Sequence, residues 1–332
     1  EAGDIYRDSY GGWYCVASEA FYPENEWGEG RTCAVHGTPL EWVEEENWYI
    51  RLSAFRERLL AFYDANPDFV LPRGRQNEAR SMVEHGLEDL SISRAQLEWG
   101  ITVPWDRDQV IYVWIEALLN YWTALRFAGG EDRSGLWPAQ LQLMAKDILK
   151  FHAVIWPAML MSAGEEPPEQ LFIHGYVLKG GERMSKTTGN IVDPFPFIED
   201  YGLDAMRYYL AREIRFGEDG TFTHEGFVAR YDGELANEFG NLLNRTVNMI
   251  SRYRDGVVPA DPGGDADLGA EVGRIVAEVH GHFDVQDVTR ASESAWALVR
   301  ALNQLVERRA PWKLAKDPAA AADLDQALYS LA

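Results

Sequence analysis

Continuous apolar runs and helical stripes alternate through the middle of this chain. The run Val110-Ile111-Tyr112-Val113-Trp114-Ile115 predicts a strand covered on both faces, as in a parallel sheet. A helix follows, with Ala117, Tyr121, Ala124 and Leu125 on its apolar side. The pattern then repeats: a strand from Leu141 to Ala145, a helix whose stripe holds Ile148, Phe151, Ile155 and Met159, and a third strand from Leu171 to Leu178. That rhythm predicts right-handed crossovers and a parallel sheet. Three strands amount to half of a doubly wound nucleotide-binding fold, so the other half is expected ahead of residue 1.

The flanks read differently. Residues 1–100 are rich in aromatics, turns and charge, and predict a small β-rich module. Asp193-Pro194 introduces a helix with Ile198, Tyr201, Ala205 and Tyr208 on one side. From Glu225 the signal is almost wholly helical, with segments near 225–254, 266–284, 287–309 and 318–331 separated by breaks such as Pro259 to Asp265. Short connections of this kind predict an antiparallel bundle. The expected fold class is therefore α/β plus α.

The 332 residues are 46% hydrophobic and 25% charged, which implies a globular protein with real cores and excludes a disordered tail. No run approaches the roughly 20 apolar residues that span a bilayer, and no secretory leader opens the chain, so a cytoplasmic protein without a membrane partner is expected. Two cysteines, Cys15 and Cys33, do not make a disulfide framework. The net charge of −22 speaks against generic nucleic-acid binding, DNA included. A basic strip on an acidic body would still serve a selective RNA contact, and Arg245, Arg252, Arg254, Arg308, Arg309, Lys313 and Lys316 are candidates for it. The absence of an initiator Met, and an end inside a helical pattern, lead us to expect a piece of a longer protein.

The most chemically loaded stretch is Gly180-Gly181-Glu182-Arg183-Met184-Ser185-Lys186-Thr187-Thr188-Gly189-Asn190. A Gly-Gly turn after a buried strand would carry Lys186 beyond the strand's carboxyl end, where open α/β sheets bind ligands. Lysine there neutralises nucleotide phosphates, and neighbouring hydroxyls hydrogen-bond their oxygens. Taken alone, the triplet Met-Ser-Lys reads as a solvated hairpin tip, since short motifs recur by accident. In context it resembles the Lys-Met-Ser-Lys-Ser signature of the class I aminoacyl-tRNA synthetases, with Arg183 for the first lysine and Thr187 for the last serine.

Within that family the chain is most similar to the methionine-specific members. The shared passages occur in order: Tyr14-Cys15, Glu46-Asn47-Trp48-Tyr49-Ile50-Arg51-Leu52-Ser53, Ser91-Ile92-Ser93-Arg94, Tyr112-Val113-Trp114, Lys146-Asp147-Ile148, Phe151-His152, Trp156-Pro157-Ala158 and Asn241-Leu242-Leu243-Asn244-Arg245. The resemblance implies a connective, zinc-knuckle-like insertion over 1–100 and the second half of a Rossmann-type catalytic domain over 101–179. The lysine loop and stem-contact region would occupy 180–224, and an incomplete helical anticodon-binding domain 225–332.

The implied activity is ATP-dependent formation of methionyl-adenylate, then transfer to initiator and elongator methionine tRNA. Lys186 and Arg183 would be catalytic, with Mg²⁺ on the ATP. Lys146, Asp147, His174, Gly175, Tyr176, Met184, Ser185 and Lys186 match the ATP positions. Trp114, Leu118, Tyr121, Phe151 and His152 match a methionine pocket, where aromatic rings suit a polarizable thioether. Without the resemblance, these aromatics would read as helix core. Asn241, Arg245 and Trp312 match anticodon readers that stack on and hydrogen-bond splayed bases. The chain departs from the family at Ala145, where glycine is usual, and at Ser18, which replaces a zinc ligand and leaves Cys15, Cys33 and His36. Zinc therefore stays open. No His-Ile-Gly-His motif occurs, and this stretch alone is not expected to activate methionine. Two rivals stand beside this reading: a sister class I synthetase for leucine, valine, isoleucine or cysteine, and a non-catalytic tRNA-binding relative.

Overall fold

The computed structural model describes all residues except 1, 18–19, 35, 96, 128–129, 186–188 and 264, with backbone alone at 10, 20–21, 25 and 266. The chain divides into two compact units, 1–173 and 174–332.

The first unit begins with a long antiparallel pair, Ile5–Cys15 against Glu41–Ile50, in register from Ile5↔Ile50 to Tyr14↔Glu41. Its far end carries a small cluster in which Cys15, Cys33 and Leu40 are buried against Trp13, Tyr22 and Trp27. These are the β-rich features expected of the opening residues. The rest of that stretch departs from expectation. Leu52, Phe55, Leu59 and Tyr63 recur at helical spacing, and the chain forms the helices Arg56–Ala65 and Arg73–Glu84.

Between those helices, Val70–Leu71 pairs in parallel with Leu171–His174, which Gln142–Ala145 flanks on its other side. Residues 52–83 thus share one core with Leu118, Met144, Leu149, Trp156 and Ile173. A reading that groups 1–100 as one insertion misses this, because a two-residue strand carries almost no periodic signal.

The run at 110–115 is also not one parallel strand. The strand Asp106–Ile111 pairs antiparallel with Ser93–Arg94 and Thr102–Val103, and Val113–Thr123 is already helix. Its continuous apolar character joins a strand end to the first turn of an apolar helix, which periodicity over six residues cannot separate. The third expected strand is likewise two, Leu171–His174 and Val177–Lys179, broken at Gly175-Tyr176.

In the second unit, Val177–Lys179 pairs antiparallel with Glu182–Arg183 and in parallel with Gly220–Phe222. The helices Phe195–Tyr201, Leu203–Glu213 and His224–Arg230 pack around Tyr209, Phe222 and Phe227. A wide π-helical stretch, Tyr231–Gly240, then runs into the helix Asn241–Arg254. The Glu238 carbonyl in that stretch accepts from Asn303 Nδ2 at 3.1 Å.

The helices Ala266–Asp284, Val288–Arg309 and Ala321–Leu331 follow the sequence periodicity closely. Asp265 and Asp287 cap the first two by accepting from the backbone N–H groups of Leu268 and Arg290. Leu242, Met249, Ile250, Leu305, Val306, Leu324 and Leu328 form the shared core. Among the described residues, no helix is long and apolar enough to cross a membrane.

Candidate functional site

Helical spacing places Trp114, Leu118 and Tyr121 on one side of Val113–Thr123. The turn Phe151–Ile155 is wound as a π-helix and brings two more expected residues to the same place. The rings of Trp114 and Phe151 stack with centroids 4.2 Å apart and planes 19° from parallel. The two rings already fill the space between them.

Tyr121 Oη lies 3.1 Å from His152 Nε2, and His152 Nδ1 lies 3.1 Å from the Ile148 carbonyl. A carbonyl only accepts, so Nδ1 carries the proton and Nε2 accepts from the tyrosine hydroxyl. His152 is 3% exposed, and burial holds its pKa below the usual histidine value, with the Ile148 hydrogen bond opposing. Burial raises Tyr121. Leu118, 1% exposed, belongs to the core beneath. Four of the five expected methionine contacts thus form two linked pairs over Leu118.

Lys146 and Asp147 begin a 3-10 turn at the carboxyl end of Gln142–Ala145, the position from which parallel sheets present ligand groups. In the second unit, the backbone of His174-Gly175-Tyr176 is largely engaged. The Tyr176 N–H donates to Asp219 Oδ1 at 2.8 Å, its carbonyl accepts from the Gly220 N–H at 3.0 Å, and His174 Nδ1 donates to the Gly175 carbonyl at 2.8 Å. A Cβ on Gly175 would overlap the backbone of Glu218 and Asp219.

The Gly-Gly turn forms as expected. Gly180 and Gly181 take φ of 62° and 80°, and the flanking register is Lys179↔Glu182, a two-residue hairpin. Beyond it, the Arg183 guanidinium sits 4.5 Å from the Tyr176 ring centroid. The Val192 N–H donates to Met184 Sδ at 3.3 Å, and Ser185 pairs with Asn190 across the loop. Lys186, Thr187 and Thr188 lie outside the described residues.

Asn241 and Arg245 project from one helix, and Arg245 lies 5.6 Å from the Trp312 ring while pairing with Glu307 at 2.6 Å. Trp312 is half-buried against the bundle core. At the far end of the first unit, the ligand atoms of Cys15, Cys33 and His36 all lie within 4.8 Å of one another. Cys33 Sγ is 3.6 Å from His36 Nδ1, and Cys15 Sγ is 3.4 Å from Thr38 Oγ1. The Cys33 sulfur, followed by that of Cys15, raises the His36 pKa. Two thiols and an imidazole so gathered suit a zinc-type ion. Ser18 lies outside the described residues. Sequence reasoning missed Glu307, Asp219 and Thr38, whose partners are distant or defined only by a turn, so no short-range pattern marks them.

A family profile described as tRNA synthetases class I (M) matches residues 24–247. The methionine--tRNA ligase of Caldanaerobacter subterraneus is 43% identical over the whole of this chain, which covers 53% of that relative. The corresponding Mycobacterium tuberculosis protein is 45% identical over 99% of this chain, which covers 64% of that relative. The chain thus spans between half and two thirds of these relatives. A crystal structure of the M. tuberculosis methionyl-tRNA synthetase bound by methionyl-adenylate superposes with a TM-score of 0.91, at 44% identity, over 99% of this chain and 67% of that one.

Proposed function

The chain belongs to the class I tRNA synthetases, and from that membership we propose that it serves a methionine--tRNA ligase, forming methionyl-adenylate from methionine and ATP and passing methionyl to initiator and elongator tRNA. The observation that carries the proposal is the aromatic cluster itself. The Trp114–Phe151 stack and the Tyr121–His152 pair stand in a unit whose fold is that of a methionyl-adenylate-bound synthetase. Rings at van der Waals distance select a polarizable thioether by shape, at about 1 kcal/mol or less each.

In this reading the methionine carboxylate oxygen attacks the α-phosphorus in line, and pyrophosphate leaves. Positioning and charge stabilisation are the protein's contribution. Lys186 and Arg183 stabilise the charge that develops on the leaving phosphates, with ATP carried as its Mg²⁺ complex. Lys146 and Asp147 hold phosphate and ribose. His174, Gly175 and Tyr176 line the adenine, and Met184 and Ser185 shape the loop beside it. Tyr176 reaches the base with its side chain rather than its backbone, since its N–H and carbonyl are already bonded. Asn241, Arg245 and Trp312 read the anticodon from the helical domain. Cys15, Cys33 and His36 would hold a zinc ion, which when bound supplies a structural clip and no catalysis.

Methionine-dependent ATP/pyrophosphate exchange by the full-length protein tests the assignment. Strong exchange that collapses in Lys186→Ala is expected. Exchange driven by leucine, valine, isoleucine or cysteine instead, or by no amino acid, overturns it.

A further inference from the structure

The root of the long antiparallel ribbon has no part in the reading above, yet it is tied to the helix that carries the aromatic cluster. Along one edge of the strand Glu41–Ile50, pairing with Leu90–Ser91 covers Tyr49 and Ile50. At Glu46 and Trp48 two side chains stand in for a neighbouring strand. Gln109 Nε2 donates to the Glu46 carbonyl at 2.8 Å, and the Trp48 N–H donates to Ser93 Oγ at 2.8 Å. A carbonyl and the N–H two residues further on point to the same edge of a strand, so these bonds lie side by side. The Ser93 hydroxyl closes the bridge by donating to Gln109 Oε1. Ser93 and Gln109 are 0% and 3% exposed, so removing either polar group leaves the other's partner unmet in a dry interior.

From this bridge a run of backbone hydrogen bonds leads into the helix Val113–Thr123. The Trp48 carbonyl accepts from the Ile92 N–H at 2.7 Å, the Ile92 carbonyl from the Tyr112 N–H at 2.8 Å, and the Tyr112 carbonyl from the Ile115 N–H at 2.8 Å. Tyr112 is the N-cap residue, so the last of these bonds belongs to the helix's first turn. Packing follows the same route, with Ile50, Ile92 and Ile115 buried in one cluster. Trp114 lies between Tyr112 and Ile115, on a turn fastened at both ends.

We infer that Ser93 and Gln109 are positioning residues for amino-acid selection, an inference that rests on the reading of Trp114, Tyr121, Phe151 and His152 as a methionine pocket. They act through the helix and not on the substrate. By completing the edge of Glu41–Ile50 they fix Ile92, and through Ile92 the turn that sets Trp114 against Phe151. A gap of about 0.5–1 Å already forfeits a quarter to a half of a dispersion contact. A small shift of the Trp114 ring therefore weakens its hold on a thioether.

Methionine-dependent ATP/pyrophosphate exchange by the full-length protein, with methionine and ATP varied separately, tests the inference. Gln109→Met keeps the length of the side chain and removes its polar groups; Ser93→Ala removes the hydroxyl. Each is expected to raise KM for methionine roughly five- to tenfold, and to lower by a similar factor the preference for methionine over norleucine, which has a methylene in place of sulfur. KM for ATP stays within about twofold of the parent. In a Trp114→Ala background neither substitution raises the methionine KM further, because the ring they position is gone. Where Ser93→Ala fails to fold, Gln109→Met, which fills the same space, decides alone. Loss of folded protein lowers kcat and leaves both KM values unchanged; that outcome, or equal rises in both KM values, overturns the inference. A parent protein without methionine-dependent exchange overturns the methionine reading itself, and the inference with it.

Discussion

Removing one oxygen atom, by Tyr121→Phe, separates the polar role of this residue from its packing. The ring stays and the apolar burial is unchanged, so the effect isolates the hydroxyl. His152 Nε2 loses its donor at a site only 3% exposed. The imidazole cannot adapt by moving its proton, because a bare Nδ1 would then face the lone pairs of the Ile148 carbonyl at 3.1 Å. A buried acceptor left without a partner costs about 1–3 kcal/mol. We expect a loss near the middle of that range, about 2 kcal/mol, which corresponds to a melting temperature lower by about 4–8 °C in a unit of this size.

Acid changes the stability in a defined direction. The fold lowers the His152 pKa, so the neutral ring's contribution is complete above about pH 6.5 and is lost as pH falls below it. The tyrosine hydroxyl can turn to accept from a protonated Nε2–H, so the parent keeps its advantage in acid, while both proteins lose stability as pH falls from about 8 to about 5. Urea denaturation followed by tryptophan fluorescence reads this directly, since Trp156 is buried in the same core, 6.3 Å from the Tyr121 ring. Equal stability of the two proteins at pH 8, or a parent whose stability rises as pH falls towards 5, would refute the reasoning.

Two further outcomes are expected. Gly175→Ala should destabilise the second unit by more than about 2 kcal/mol, because its methyl would overlap backbone that cannot yield as a side chain can; a variant melting with the parent excludes the close approach. Protein expressed with zinc should retain the metal by elemental analysis and lose it in Cys33→Ser, and a three-donor site should yield it to a chelator more readily than a four-ligand site. Metal-free parent protein after zinc-supplemented growth would remove the zinc assignment.

What the sequence revealed follows from the reach of each signal. The helices Ala266–Asp284 and Val288–Arg309 were legible almost to the residue, because long amphipathic repeats end in strong Asp caps. The Gly180-Gly181 turn was legible because two successive positive φ angles leave few other choices. Residues 52–84 were not, since their place in the sheet rests on Val70–Leu71 and on contacts a hundred residues away. In the candidate site, family resemblance supplied Trp114, Tyr121, Phe151 and His152, while the tautomer of His152 and the stacking of Trp114 on Phe151 needed coordinates. The pairing of Arg245 with Glu307 spans two helices, and no local pattern encodes it.

The wide helix at Tyr231–Gly240 sets an angle as well as filling a gap. A π-wound turn takes more residues to complete a revolution than an α-turn, so each residue within it advances the chain through a smaller rotation. Asn241 and Arg245 follow immediately, and their compass bearing around the helix axis is the sum of those rotations. Rewinding the ten residues as ideal α-helix would keep every residue of Asn241–Arg254 and its apolar stripe. It would nonetheless swing Arg245 away from Glu307 and Trp312. For anyone redesigning this segment, helix width is therefore a steering variable, and a sequence alignment that treats the stretch as ordinary helix will leave it out.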